Sequence, residues 1–346
     1  MQFRAPFPLF TLATAVSLSV APPAFSGPAV CVETNDVIRI TLRGKPVLTY
    51  QKAIVAPPGD MEDLYSRSGY IHPVCSPSGK EVTGDFPVDH PHQHALFFAW
   101  TSTTFEGRKV DFWNQRAETG LISHAEVLSL FNEPESAGFS VKIVHSDRSA
   151  PGGEKPVLDE IWTVRVHATP PGEPYLFDLE SVQTCASESP LTLNEYQYGA
   201  MAIRGNQQWF DPDYAKVIAA WEKEKKKNPE APAPTQVPQG DFLTSEGKNR
   251  LNGNHSRPNW VDMFGKTDGE DAGIAMLSHP SNFRSPQPVR LHPSKPYFCF
   301  SPVVLGEFQI VPGKKYTSRY RFLVHDGKPD PVQIDQKWKE YSGEKK

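Results

Sequence analysis

Proline punctuates this chain from end to end. There are 34 in 346 residues, about twice the average share. A helix interior rejects proline because the ring removes a backbone donor and clashes with the preceding turn. Long helices are therefore excluded over most of the sequence. What lies between the prolines has the period of strands. "VIRITL" (37–42), "PVLTYQKAIV" (46–55), "GFSVKIVH" (138–145), "EIWTVRVH" (160–167), "YLFDLESVQT" (175–184) and "YTSRYRFLVH" (316–325) are rich in β-branched and aromatic residues and roughly alternate in polarity. "APPGD", "SPSGK", "TPPGEP" and "VPGKK" supply the turns. Alternation buries one face and wets the other, the habit of antiparallel sheets. The expectation is an all-β, large antiparallel two-sheet sandwich.

Two helices interrupt it. "DPDYAKVIAAWEKEKKK" (211–227) is built of good helix formers, and the proline-rich 229–240 ends it. The pair reads as an insert at 211–240. Near the C-terminus, Ile334, Trp338 and Tyr341 recur at helical spacing and can dock on a sheet.

At the N-terminus, a basic Arg4, the apolar "PFPLFTLATAVSLSV" and the small-residue "APPAFS" have the form of a secretory signal peptide, residues 1–26. The apolar run is shorter than the ~20 residues a membrane-spanning helix needs, and no later segment supplies one. The expected product is an exported, periplasmic or extracellular, single β-sandwich domain spanning 27–346. The formal net charge of −4 and the lack of a basic stripe argue against a nucleic-acid partner. Four cysteines (31, 75, 185 and 299) are widely spaced. Export permits disulfides, three pairings are open, and free buried thiols are the alternative.

The stretch "DFPVDHPHQHALFFAW" (85–100) sets His90, His92 and His94 two apart. In an extended backbone, which Pro91 favours, such residues share a face. A paired H-x-H can hold a divalent metal if a third ligand arrives from elsewhere; turn histidines or a metal-free acid–base pair fit the same spacing. In "LTLNEYQYGAMAIRG" (191–205), alternation places Glu195 and Gln197 with Leu191 and Leu193 on an inward face, where burial would raise the Glu195 pKa toward acid–base use. Arg204 is its nearest ion-pair candidate in that stretch. His279, Asn282 and Arg284 follow the apolar "GIAMLS" (273–278) and suit a polyhydroxyl or carboxylate ligand, or plain turn chemistry. Trp113 stands beside Asn114 and Gln115, a pairing found in sugar clefts, although core packing is the commoner use of tryptophan. No phosphate loop or dinucleotide fingerprint is present, so no cofactor is indicated beyond a divalent metal.

The segments "HPVCSPSGKEVTGDFPVDHPHQHALFFAW", "GRKVDFWNQ", "LNEYQYGAMAIRG" and "TSEGKNR" together resemble an exported bacterial family of unknown function commonly labelled "methane oxygenase PmoA". The resemblance covers most of the chain after the leader and implies a fold similar to the galactose-mutarotase-like supersandwich. The chain departs from the family picture in three places: Ala95 where glycine is usual, His94 where arginine is frequent, and Cys75 where an aromatic residue is frequent. His90 and His92 are thus the stronger pair. The label itself conflicts with a chain that has no spanning segment.

Three functions follow. The first is a carbohydrate-active enzyme (epimerase, isomerase, lyase or hydrolase) with His90, His92 and Glu195 as catalytic groups, and Gln197, Arg204, His279, Asn282, Arg284 and Trp113 binding a small-molecule or oligosaccharide substrate. The second is a saccharide-binding module without turnover. The third is a metal-dependent oxygenase or hydrolase using His90 and His92.

Overall fold

The computed structural model describes residues 27–343. The expected leader, residues 1–26, lies outside them. The fold is mostly β, with antiparallel pairing throughout its strand ladders. One eight-stranded sheet runs, edge to edge, Ala29–Glu33, Val37–Leu42, Lys45–Gln51, Tyr70–Val74, Leu96–Ala99, Ala200–Arg204, Tyr297–Phe300 and Val289–Leu291. A second runs Gly240–Thr244, Trp260–Thr267, Glu270–Ser278, Tyr316–Asp326, Tyr175–Cys185, Lys155–His167, Ser136–Asp147 and Gly120–Glu133. A small four-stranded sheet, Phe308–Ile310, Leu191–Leu193, Thr103–Phe105 and Arg108–Val110, flanks them.

Alternation decides which side chains enter the sandwich. Along Tyr175–Cys185, residues 175, 177, 179, 181 and 183 are buried while their neighbours are half-exposed. Phe177 stacks on Phe322 of the adjacent strand, ring centroids 4.6 Å apart. Tyr50 of the first sheet meets Phe139 and Trp162 of the second, and Phe298 and Phe300 meet Phe242 and Tyr320. The two large sheets therefore pack face to face over one apolar layer.

Both expected helices form. Helix α1 (Pro212–Lys225) starts on Asp211, whose side chain accepts from the Asp213 and Tyr214 amides. It is more than a surface excursion, since Tyr214 and Ile218 are buried. Helix α2 (Pro331–Ser342) is capped by Asp330 and stopped by Gly343 in the left-handed conformation. It lays Ile334 and Trp338 on Trp260, Ala275, Leu277 and Leu323, on the face of the second sheet away from the sandwich. Each such side chain is worth ~1.5–3 kcal/mol when fully buried. All four cysteines are free thiols. Burial pushes the Cys31 thiol up to about 12 and Cys75 up to about 11.

Among the described residues, no helix is long and apolar enough to cross a membrane.

Candidate functional site

On the central strands of the first sheet, Leu96, Phe98, Met201, Ile203 and Phe298 point into the sandwich. Residues one step along (Phe97, Ala99, Ala202, Arg204, Tyr297 and Cys299) project from the opposite face. The candidate site is built on that face.

The histidine stretch is a double turn and not the expected strand. His90 donates its amide to Pro87 O, and Gln93 donates to His90 O. Phe86 and Ala95 have φ of 45° and 47°, so the chain reverses at both ends of the stretch. The three histidines therefore do not share a strand face. His94 is wholly buried, its Nδ1 on Asp85 at 3.0 Å and its Nε2 on Gln115 at 2.8 Å. Asp85 also accepts from the Tyr70 hydroxyl at 2.7 Å. This clamp closes the base of the turn and leaves His90 and His92 at its tip, their rings 5.5 Å apart.

The clamp has a second half. Arg204 is fully buried and donates to Gln93 at 2.9 Å, Gln207 at 2.9 Å and Asp89 at 3.3 Å. Lys295 also pairs with Asp89. His90 donates from Nδ1 to Asp89 Oδ2 at 3.1 Å. Burial by itself would raise the Asp89 pKa, but the His90 hydrogen bond and the Arg204 and Lys295 charges outweigh it and hold the carboxyl well below the usual range. Arg204, expected among the substrate groups, is thus a buried anchor for the turn.

From His90 the site continues around a circuit. His292 lies 5.9 Å from His90, Tyr297 lies 6.2 Å from His292, and Trp113 lies 5.8 Å from Tyr297, all between ring centroids. Tyr198 is 5.3 Å from Trp113, and Asn114 is the residue that follows Trp113. Asn114 and His92 then line one cleft of about 830 Å³, with Pro58, Met61, Tyr65, Val88 and Arg116. Burial, reinforced by His90 and His94, lowers the His92 pKa to about 3. Burial and the Arg290 charge lower His292 to about 2. Both imidazoles are neutral at ordinary pH. No hydrogen bond engages the His92 ring among the described residues.

The remaining expected residues are elsewhere or differently used. The strand Leu191–Leu193 ends before Glu195, which is exposed on the loop that follows, as is Gln197. The inward alternation read for Glu195 and Gln197 does not extend that far. Trp113 is wholly buried against Phe97, Tyr198 and Tyr297, so it backs the site and offers no open face to a ligand. His279, Asn282 and Arg284 form a separate turn whose hydrogen bonds run to Ser281, to Arg319 and to three backbone carbonyls. They are not brought to His92; turn chemistry accounts for them. Among the described residues, no three His, Cys, Asp or Glu side chains are arranged to hold a metal ion.

Sequence reasoning missed Asp89, His292, Tyr297 and Tyr198. The signal available was the second His-Pro pair, His292–Pro293, which echoes His90–Pro91. A groove of about 930 Å³ beside α2 exceeds the cleft in volume. It has no histidine, and Lys339 pairs with Asp335 along the helix at 2.7 Å, so it lacks the titratable set that marks the cleft.

Residues 37–339 match a family of unknown function, DUF6807. The chain belongs to that family. Nothing in the match carries the methane-oxygenase label. No curated protein matches the chain in sequence. Among solved structures, the chain is similar to heparan sulfate lyase HepC from Pedobacter heparinus (8% identity, TM-score 0.36, 88% of this chain and 36% of that one). It is also similar to GH36 α-galactosidase AgaB from Geobacillus stearothermophilus (9%, TM-score 0.35, 88% and 41%). A galactose mutarotase related enzyme from Lactobacillus acidophilus is a third (10%, TM-score 0.26, 87% and 100%). The chain spans little more than a third of the lyase and two fifths of the galactosidase. At this remoteness no residue of one chain can be equated with a residue of another.

Proposed function

We propose that this chain is an exported carbohydrate-active enzyme that binds a sugar at the His90–His92–His292 site and moves a proton on it. The observation that carries the reading is the Asp89–His90 pair set between two neutral imidazoles. With Nδ1–H donated to Asp89, the lone pair of His90 is on Nε2, the tautomer of a general base. The ionised Asp89 stabilises the imidazolium that forms when His90 takes a proton. His92 and His292, kept neutral by burial, can hydrogen-bond sugar hydroxyls without competing for that proton. Asn114 adds a planar amide, and Tyr65 adds an aromatic wall to the cleft. A pyranose has an apolar C–H face and a rim of hydroxyls, and such a lining suits both.

Ligand-observed NMR of the purified chain against methyl glycosides and short oligosaccharides tests this. Binding is expected for at least one sugar and should vanish in His92→Ala, while turnover should vanish in His90→Ala with binding retained. Silence across the whole panel would overturn the reading. Binding and turnover both unchanged in His90→Ala would reduce the chain to a saccharide-binding module.

A further inference from the structure

The outer face of the first sheet, away from the sandwich, holds at its edge a cation that the site as drawn above does not use. Arg290 pairs across strands with Cys299, and Cys299 with Ala202. In the next row, the His292 amide bonds to Tyr297 O at 3.0 Å, and Tyr297 pairs with Arg204. Val289 and Leu291 are sunk in the core, which turns Arg290 to the other side, half-buried. Residues two apart on a strand share a face and lie about 7 Å apart, so Arg290 stands next to His292, and His292 stands next to His90.

The charges around it are informative. Lys295 and Arg204 are both paired with Asp89, and Arg116 with Glu62. Arg290 has only the amide oxygen of Asn254, at 3.2 Å from Nη1, and no carboxylate partner among the described residues. Its positive charge is felt by three groups on the same face, the half-buried His292 and the buried Tyr297 and Cys299. A guanidinium steadied on one edge by a neutral amide keeps its other donors for a planar, two-oxygen anion, the geometry of a carboxylate.

We propose that the site takes an acidic sugar, whose carboxylate is held by Arg290 while its ring lies over His292 and His90. This deepens the sugar reading above and rests on it. The spacing is apt, since a uronic acid carries its carboxylate one bond outside the ring, and the step from Arg290 to His292 is about the width of a pyranose. Among the described residues Arg290 has no carboxylate partner, and Asp89, the carboxylate beside His90, is already ringed by His90, Arg204 and Lys295.

Calorimetric titration at constant ionic strength with D-glucuronate and D-galacturonate, beside D-glucose and D-galactose, tests this. The wild-type chain should bind at least one uronate about tenfold or more tighter than its neutral parent, the scale of one charge-assisted hydrogen bond. Arg290→Gln should bring the uronate down to the affinity of the neutral sugar, and Arg290→Lys should keep part of the preference. Thermal unfolding of both variants is measured alongside. Equal wild-type affinity for acid and neutral sugars would overturn the acidic-sugar proposal and leave the sugar reading standing. A uronate preference undiminished in a folded Arg290→Gln would do the same. If neither kind of sugar binds the wild-type chain, the sugar reading fails and this proposal with it.

Discussion

The turns at 84–95 and 278–286 are two polar loops of similar length, each carrying a His-Pro pair, and the fold uses them in opposite ways. In the second, Asn282 and Arg284 are consumed by the protein's own groups, and His279 is tied down on one ring nitrogen. His279 Nδ1 is shared with Ser281. Asn282 donates to Ser278 Oγ at 3.0 Å and to Arg319 O at 2.8 Å, and accepts from the Arg319 amide at 2.7 Å. Arg284 is filled by the carbonyls of Pro302, Gly306 and Glu307. In the first, Asp85, His94, Gln93 and Arg204 do that structural work, which frees His90 Nε2 and the whole His92 ring. Residue types alone do not make a site; spare donor and acceptor capacity does.

The largest effect expected from this contrast is on stability. Arg204→Met leaves Asp89 without a buried partner and strands Gln93 and Gln207. Loss of one side of such a buried pair costs about 3–5 kcal/mol. Arg284→Met removes three hydrogen bonds from a half-exposed guanidinium to carbonyls that water can reach, a loss of about 1–3 kcal/mol. Urea unfolding of the two variants measures the difference. Equal losses would mean that the first turn is no more tightly anchored than the second.

The next effect is a pH dependence that is strongest at the first turn and the neighbouring His292. Free histidine in the unfolded chain titrates near 6.5. His92 is held to about 3 by burial, with His90, His94 and Arg204 pushing the same way against Asp89. His292 is held to about 2 by burial, with Arg290, His90, Lys295 and Arg204 adding to it. Between pH 6.5 and 3 the unfolded chain therefore binds protons that the folded chain does not. Stability falls as pH drops through that window, with a limiting slope of about 1.4 kcal/mol per pH unit for each histidine. His92→Gln should flatten the slope by one proton, and His279→Gln should flatten it less, since burial and the Arg319 charge lower the His279 pKa in the same direction but not as far. Unfolding curves at pH 7, 6, 5 and 4 read this directly.

A smaller effect is expected at Asn282. Asn282→Ala leaves the Arg319 amide and a buried Ser278 hydroxyl with fewer partners, a loss of about 1–2 kcal/mol. Sugar binding should not change. If Asn282→Ala abolished binding while His92→Ala did not, the roles of the two turns would be reversed.

The physical reasons for what the sequence disclosed follow the same line. The strand Tyr175–Cys185 and helix α2 were legible because a single period, two or 3.6, runs through each and one face is buried. The turn at 85–94 was not, because Pro91 favours an extended chain while the real path depends on positive φ at Phe86 and Ala95 and on the Asp85–His94 bridge. Asp89 carries no local signal in the sequence, since its partners Arg204 and Lys295 are more than a hundred residues away. His292 joins the site only through strand pairing near the sheet edge. Local periodicity carries elements well; it carries little about which loops meet.

Glu195 is the sharpest case, and the smallest effect. Read from Leu191 and Leu193, it belongs inside, where burial would make it an acid–base group. In the fold that strand stops at Leu193, whose pairing with Phe308 and Thr103 closes the small sheet, and the next residues leave it: the Asn194 amide bonds to Ser102 O. Glu195 then faces water, with no ion pair among the described residues. Glu195→Gln should change stability by less than about 0.5 kcal/mol, the usual range for surface substitutions, and should leave sugar binding and turnover at wild-type levels. Paired assays of Glu195→Gln and His90→Ala on the same sugar decide the matter. Loss of turnover in Glu195→Gln with binding retained would show that the loop after Leu193 closes over the ligand. The proton would then pass between Glu195 and the Asp89–His90 pair, and the site would extend beyond the face on which it is built here.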